Sequence, residues 1–373
     1  MTGSGFMQVL AFSAPLCTAL ICCVLMAMYH SHGHRKIRRR LTTLMMCTYA
    51  AAFFCWLGVI LYIASYDGFV WFNTFFFLCL MLDQVFLYHF VFIITGTGGN
   101  RRFNPIHYIV PLVLTIAMGV WSLAVPYEVQ YYIVESRGEN APGYLWYSMF
   151  FSATVPIFIL YNIFYPLAGL RRVRAYRREV VNYSADDYPA SAGWLYRLIF
   201  LIWLSLPLAS GVLFVHKSVL FSSSLTVVGA FLPIFQYLII CYNLLSGNYV
   251  IIEPSPEEIA TARASALDRF RFERYMRESK PYLNPKLRIT DVAAGLNTNR
   301  SYISSLVNGQ YGMNFSRYVN CLRLEELNRL RTSPESAGYT NMELVLMAGF
   351  SSYRSYLRVK AEDDKANTIK VFE

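Results

Sequence analysis

The chain has 373 residues, of which 55% are hydrophobic, 16% aromatic and only 15% charged, yet its formal net charge is +10 at pH 7. These proportions argue against an ordinary soluble protein, which distributes more charge over its surface. They favour a membrane protein whose basic residues are concentrated in cytoplasmic segments. The length allows two or three domains.

Long apolar runs dominate the first two thirds of the chain. A membrane-spanning helix needs about 20 predominantly apolar residues. The runs are apolar on most sides, so a soluble bundle of helices with one apolar face each is a poor alternative. The sequence therefore predicts seven spans, at residues 8–29, 41–65, 69–94, 106–125, 144–170, 195–215 and 222–245.

Basic residues accumulate in alternate loops between these predicted spans. The loop at 30–40 reads HSHGHRKIRRR, the loop at 95–105 contains Arg101 and Arg102, and the loop at 171–194 contains five arginines. Because basic loops stay in the cytoplasm, the pattern places the N-terminus outside and residues from 246 onward inside. We expect a multi-pass protein of the bacterial inner (cytoplasmic) membrane whose basic loops contact anionic lipid.

Asp83 is an acidic residue at mid-span, in LCLMLDQVFLYHFVF. A carboxylate inside a membrane is costly unless it is paired, neutral or facing water, so Asp83 is a candidate sensing residue. The alternative is a structural polar contact between helices. His89 lies six residues further along, about 240° around a helix, and so does not share the face of Asp83. Prolines within the spans can open a cavity for a small-molecule ligand.

Residues 246–265 are predicted to be a connector and the start of a linker helix. The connector SGNYVIIEPSP contains prolines that stop a helix continuing from the membrane. Ser255 is a suitable N-cap and Glu258 completes a capping box, which predicts a helix running to about Lys280. That helix is either the first helix of the C-terminal domain or a dimerising helix that transmits a signal.

The chain from 266 to 373 carries 17 basic and 12 acidic residues, a modest basic excess. Its first half predicts a helix, a tight turn and a second helix. Thr290 can cap the first helix, Asn297 tolerates the left-handed conformation of the turn, and Asn299 can cap the second. The outward residues of the second helix are short and polar or basic, which suits entry into a DNA major groove. They are Arg300, Ser301, Ser304 and Ser305.

A similar pattern recurs near the C-terminus. Asn341 can cap a first helix, Gly349 makes the turn, and Ser351 can cap a second helix. Between the two patterns, YVNCLRLEELNRL has helical apolar spacing. The chain thus predicts two helix-turn-helix units joined by a helix.

Three segments in this order resemble the AraC-type family of bacterial transcription regulators: LRITDVAAGLNTNRSYISSLV, NFSRYVNCLRLEELNRL and MAGFSSYRSYLRV. The resemblance covers roughly residues 270–360 and implies a DNA-binding domain that reads two adjacent major-groove segments, with dimers on repeated half-sites. Arg300 is the main candidate for a base contact, because arginine pairs bidentately with guanine. The full set of candidate DNA-binding residues is Asn299, Arg300, Ser301, Tyr302, Ser304, Ser305, Ser352, Tyr353, Arg354, Ser355 and Arg358.

These observations predict an all-α protein: a seven-helix transmembrane sensor domain at 1–245, the connector at 246–265, and an AraC-type domain at 266–373. We expect a one-component regulator that binds double-stranded DNA, as a homodimer, under control of a signal sensed in the membrane. Neither enzyme motifs nor metal-ligand spacings occur, so no catalytic residue, cofactor or metal is expected. Lys360 stands where the family usually has an aromatic residue, which leaves open a receptor or transporter whose tail docks another protein.

Overall fold

The computed structural model describes residues 3–31, 36–96, 102–136, 138–185, 192–214, 224–252, 269–336 and 338–366. Within these residues the protein is all-α, with fourteen α-helices and two short 3-10 turns. The predicted fold class is correct at this level. The predicted start of the linker helix, including Ser255 and Glu258, lies outside the described residues.

Eight helices occupy the N-terminal part of the chain. They are α1 (Gly3–Ser31), α2 (Lys36–Ala64), α3 (Tyr66–Ile94), α4 (Ile106–Leu123), α5 (Tyr127–Ser136), α6 (Leu145–Val180), α7 (Gly193–Phe214) and α8 (Ser224–Leu245). Each of the seven predicted spans coincides with one of these helices.

Five of these helices are long and apolar enough to cross a membrane: α1, α2, α3, α4 and α6. The other two predicted spans, 195–215 and 222–245, fall on α7 and α8, whose described apolar stretches, Gly193–Ser205 and Gly229–Leu245, are shorter. Among the described residues there are therefore five candidate membrane spans, against the seven that the sequence predicts.

Helix α5 was not predicted, because its sequence YEVQYYIVES is too short and too polar to resemble a span. Its apolar side packs into a small core in which Ile133 is fully buried beside Val125, Ala141 and Tyr147. The side chain of Gln130 donates hydrogen bonds to the carbonyls of Ser122 and Val125, at 2.8 and 2.9 Å. These bonds satisfy carbonyls left open at the end of α4.

The described chain divides into two compact units. The first comprises Met1–Ile94, Arg101–Val173 and Gly193–Gly247, and the second comprises Thr95–Asn100, Arg174–Ala192 and Asn248–Glu373. The second unit is discontinuous in sequence, because the end of α6 from Arg174 and the chain after it belong with the C-terminal residues.

Six helices build the C-terminal part of the second unit, which we call the tail. They are α9 (Arg269–Glu278), α10 (Ile289–Gly295), α11 (Arg300–Tyr311), α12 (Phe315–Thr332), α13 (Asn341–Met347) and α14 (Tyr353–Ala366).

Helix α12 is the centre of the tail, as the apolar spacing of YVNCLRLEELNRL predicts. Val319 and Leu327 are fully buried, and Leu322 is nearly so. Its N-terminal half packs against α9, where the ring of Phe272 lies 5.4 Å from that of Tyr318. Its C-terminal half packs against α13 and α14 through Leu330 and its neighbours.

Candidate nucleic-acid interface

The first helix-turn-helix unit consists of α10, a turn and α11. Helix α10 begins at Ile289, one residue before the predicted cap Thr290, and the amide of Arg288 donates to the carboxylate of Asp291 at 2.8 Å. The predicted cap is therefore wrong, because Asp291 closes the first turn from inside the helix. Asn297 adopts the left-handed conformation with a φ of 51°, as the sequence predicts.

Asn299 caps α11, as predicted. Its side-chain oxygen accepts a hydrogen bond from the amide of Tyr302 at 2.8 Å. Ile303 and Val307 are fully buried and fix the inner face of the helix. The Asn299 carboxamide oxygen is thus engaged in capping, so its main role is to set where α11 begins.

The predicted contact residues of α11 lie on one polar face. Ser301 and Ser305 are exposed, while Arg300, Tyr302 and Ser304 are half-buried. Four of these five residues line an open cleft of about 400 Å³, together with Asn308 of the same helix. The cleft is also lined by Glu179, Asn182 and Tyr183, which precede α11 by more than a hundred residues in the chain.

The second helix-turn-helix unit consists of α13, a turn and α14. The predicted cap Asn341 is wrong by one residue: Thr340 caps α13, accepting from the amide of Glu343 at 3.3 Å, while its own amide donates to the Glu343 carboxylate at 2.8 Å. Asn341 instead accepts from the Arg331 guanidinium at 2.7 Å. Gly349 makes the turn with a φ of 93°, as the sequence predicts.

Helix α14 is capped by Ser352 rather than Ser351, because the Ser352 hydroxyl accepts from the amide of Ser355 at 3.1 Å. Arg354 is exposed, and Tyr353 and Arg358 are half-buried. Ser355 is only 8% exposed. Ser355 therefore belongs to the inner face of α14 and is not available to a groove, contrary to the sequence-based assignment.

Arg323 is a buried cation that the sequence analysis missed. Its side chain is 2% exposed and fully occupied with acceptors. The guanidinium donates to the carbonyls of Tyr282, Ala185 and Asn284 at 2.8, 2.9 and 2.8 Å, and to the side chain of Asn320 at 3.1 Å. A buried charge is tolerated only with such pairing, and here it ties three separate chain segments together.

Residues Arg174–Ala185, which we call the juxtamembrane segment, pair with the tail through their backbone. Ser184 forms an antiparallel bridge with Arg288. The amide of Ile289 donates to the carbonyl of Tyr183 at 3.0 Å, and the amide of Ser316 donates to the carbonyl of Val181 at 3.0 Å. Ile289 and Ser316 lie in the first turns of α10 and α12, whose amides have no acceptor within their own helix. The juxtamembrane segment therefore caps two helices of the tail.

The connector contacts the juxtamembrane segment as well. The hydroxyl of Tyr176 donates to the carbonyl of Val250 at 2.6 Å. Both residues are buried, as is Ile252. Residues 248–252 of the connector are thus packed within the second unit rather than free in solvent.

A charged group stabilises the junction of α9 and α12. The carboxylate of Glu326 accepts from the Arg329 guanidinium at 2.7 Å and from the Lys280 ammonium at 3.1 Å. The hydrogen bond from Arg329, followed by that from Lys280, lowers the pKa of Glu326. Lys280 itself adopts the left-handed conformation, with a φ of 42°, so this ion pair holds a bend that few non-glycine residues adopt.

Asp83 lies in α3, within the first unit. One carboxylate oxygen accepts from the side chain of the adjacent Gln84 at 3.3 Å. The other oxygen is buried and has no hydrogen-bond partner among the described residues. Within those residues, no group of three or more His, Cys, Asp or Glu side chains is placed to hold a metal ion.

No family model, no curated protein and no solved structure matches this chain. The resemblance to AraC-type regulators therefore rests on the three quoted segments alone.

Proposed function

We propose that this protein is a membrane-embedded, one-component transcription regulator whose tail binds DNA in a sequence-specific manner. The observation that carries the proposal is α11: it follows a left-handed turn at Asn297, is capped by Asn299, and presents Arg300, Ser301, Ser304 and Ser305 on one face. A second helix after a turn, with short polar side chains and an arginine outward, suits direct reading of a major groove.

The presence of two helix-turn-helix units supports the same proposal. Helix α14 also follows a left-handed turn and exposes Arg354. The long helix α12 joins the two units, as the resemblance to AraC-type regulators implies. Each tail would read two neighbouring groove segments, and a dimer would read repeated half-sites.

Location in the cytoplasm is part of the proposal. The bonds between Tyr183 and Ile289 and between Val181 and Ser316 support placing the juxtamembrane segment and the tail on the same side of the membrane. In that arrangement α7 and α8 would cross as a pair or not at all. Either way, the basic juxtamembrane segment and the tail would share the cytoplasmic side that the loop charges favour.

The membrane half would supply the signal. Asp83, with one buried carboxylate oxygen lacking a partner among the described residues, is the candidate sensing residue. The signal would be a small molecule or a membrane state that changes how the tail is presented.

The test is a selection from a random-sequence DNA pool by the full-length protein in lipid nanodiscs, at two salt concentrations. Enrichment of a repeated motif, with affinity that falls steeply as salt rises, supports the proposal. Arg300→Ala is the matched variant and should lose preference at one position of that motif. Absence of enrichment by the wild-type protein and by a variant such as Ala185→Pro, which removes a bond between the juxtamembrane segment and the tail, would overturn the proposal.

A second candidate function is a receptor or transporter whose tail docks another protein. One observation favours it: the second helix-turn-helix unit exposes large apolar side chains, which contact with a DNA phosphate backbone does not require. Met342, Leu346 and Leu357 are 59%, 44% and 49% exposed. A protein-docking tail would bind its partner with little dependence on salt and would lose binding in Met342→Ser but not in Arg300→Ala.

A further inference from the structure

We propose that the juxtamembrane segment is a built-in inhibitor, which covers the DNA-facing side of α11 and must leave before DNA enters. This inference rests on the DNA-binding function proposed above. The partner of the α11 surface in the resting protein is thus a segment of the same chain.

The cleft geometry carries the argument. Glu179, Asn182 and Tyr183 line the same 400 Å³ space as Arg300 and Ser304. A helix with its side chains is about 10–12 Å across, which nearly fills a major groove about 12 Å wide and 8.5 Å deep. A second wall of protein so close to the polar face of α11 therefore leaves no room for the edges of the groove.

The charges that line the cleft also support inhibition by the juxtamembrane segment. Glu179 brings a carboxylate to a cleft that Arg300 also lines. DNA carries the same sign of charge and would compete with that carboxylate for Arg300. The juxtamembrane segment thus presents to α11 an acidic group and hydrogen-bonding side chains, which compete with the groups DNA would offer.

The C-terminal end of the juxtamembrane segment is buried against the tail. Tyr183, Ser184 and Ala185 are 3%, 2% and 1% exposed. The carbonyls of Val181 and Tyr183 cap α12 and α10, and the amide of Ala185 donates to the carbonyl of Leu287 at 3.1 Å. These contacts hold the juxtamembrane segment beside α11. They involve none of the polar residues of α11 that would contact DNA.

The same contacts provide a route for a signal. The juxtamembrane segment begins in α6, an unbroken helix from Leu145 to Val180 that includes a candidate membrane span. A change at the end of α6, in Arg174–Val180, would act on Val181 and Tyr183, which follow it directly in the chain. Since DNA binding requires the uncovered state, the apparent affinity scales with the fraction of molecules in that state.

The variant Ala185→Pro tests the proposal in the full-length protein in nanodiscs. Proline removes the amide that bonds Leu287, whereas the control Ala185→Gly keeps it. We expect Ala185→Pro to bind the selected DNA about tenfold more tightly than wild type, because the uncovered fraction rises. Tyr183→Ala, which removes a buried ring, is a second variant with the same expected direction.

Hydrogen–deuterium exchange provides a readout that needs no DNA. The amides of Ile289 and Ser316 have no acceptor within their own helices, so their protection reports the carbonyls of Tyr183 and Val181. Both amides should exchange slowly in wild type and Ala185→Gly and quickly in Ala185→Pro, while amides in the middle of α12 stay protected if the tail remains folded.

Each outcome decides a different question. Fast exchange at Ile289 and Ser316 in wild type would show that the segment is not docked and would overturn the inference. Faster exchange in Ala185→Pro without tighter DNA binding would show docking without inhibition, which also overturns it but leaves the proposed function intact. Slow exchange in wild type with no DNA selected by any variant would overturn the DNA-binding function itself, and the inhibitory role with it.

Discussion

The guanidinium of Arg323 donates a hydrogen bond to the backbone carbonyl of Ala185, with 2.9 Å between Nη1 and the oxygen. One residue belongs to the central helix of the tail and the other to the juxtamembrane segment. The same guanidinium holds the carbonyls of Tyr282 and Asn284. A single buried side chain thus joins the two parts of the second unit.

Replacing Arg323 tests this role. Arg323→Met keeps much of the volume but leaves three carbonyls without their donor, and each buried acceptor without a partner costs about 1–3 kcal/mol. We expect the tail to lose roughly 3 kcal/mol of stability. All six tryptophans precede residue 204, so their fluorescence does not report the tail, and urea-dependent pulse proteolysis is the measurement. Arg317→Met, at an exposed position of the same helix, is the control and should change stability little. Equal losses in both variants would contradict the prediction.

Gly349 is predicted to tolerate no side chain. Its φ is 93°, and a Cβ would lie 2.4 Å from the carbonyl oxygen of Tyr282 and 2.7 Å from the Cα of Leu283. Gly349→Ala should destabilise the tail by about 2 kcal/mol or more, from strain and the clash. Gly309→Ala is the matched control: it lies within α11 with nothing within 4 Å of its Cβ, and should stabilise the tail by about 0.5–1 kcal/mol. The two changes should shift the pulse-proteolysis midpoint in opposite directions.

Stability of the tail should depend on the titration of Glu326. The hydrogen bonds from Arg329 and Lys280 lower its pKa in the folded protein. A lowered folded pKa means that the contribution is complete above the ordinary value near 4.5 and is lost as the pH falls through the lowered folded value. Glu326→Gln removes the carboxylate, so the difference in tail stability between wild type and variant should shrink as the pH is lowered from 6 toward about 3. A difference that stays constant over this range would show that Glu326 does not contribute through its charge.

Arg300 should contribute to the choice of DNA sequence. Arg300→Ala should weaken binding to the selected motif by roughly 1–3 kcal/mol and relax preference at one base pair. Lys286 is an exposed basic residue outside α11, and Lys286→Ala removes the same charge. The control should weaken binding to all sequences alike, if at all. A loss of affinity in Arg300→Ala with unchanged sequence preference would assign Arg300 to a phosphate rather than a base.

In intact cells, the juxtamembrane segment and the tail should both be inaccessible to a reagent that cannot cross the membrane. Cysteines introduced at the exposed positions Ala175 and Ser351 should react with a membrane-impermeant maleimide only after the cells are lysed. A cysteine at the exposed Asn140, in the loop predicted to lie outside, should react in intact cells. Labelling of position 351 but not 175 in intact cells would contradict both the topology and the pairing of Tyr183 with Ile289.

Local signals in the sequence predict much of this fold. Periodicity locates α12, and the special backbone requirements of Asn297 and Gly349 locate the turns, because these features depend on neighbouring residues only. The predicted caps of α13 and α14 lie one residue away from the observed caps, Thr340 and Ser352. Threonine, asparagine and serine all make suitable caps, so packing chooses among neighbouring residues of these types.

Long-range pairing could not be predicted in the same way. The arginines of the loop at 171–194 indicate orientation in a membrane, and nothing in its sequence indicates that Val181 and Tyr183 supply carbonyls to α12 and α10. Backbone acceptors leave no signature in side-chain composition. Arg323 was likewise hidden, because an arginine in a helix is usually exposed and only its buried partners reveal its role.

The bridge between Ser184 and Arg288 also changes what a break in the chain would do. A protease that cut between 252 and 269 would sever the covalent link to α8, yet the tail would stay attached as one of two complementary fragments. Its release would require a second step, the separation of the juxtamembrane segment from the tail, so cleavage alone would not be a sufficient trigger. A shortened product that begins at Arg269 would conversely lack the acceptors for Ile289, Ser316 and part of Arg323, and supplying residues 174–185 as a separate peptide should restore them.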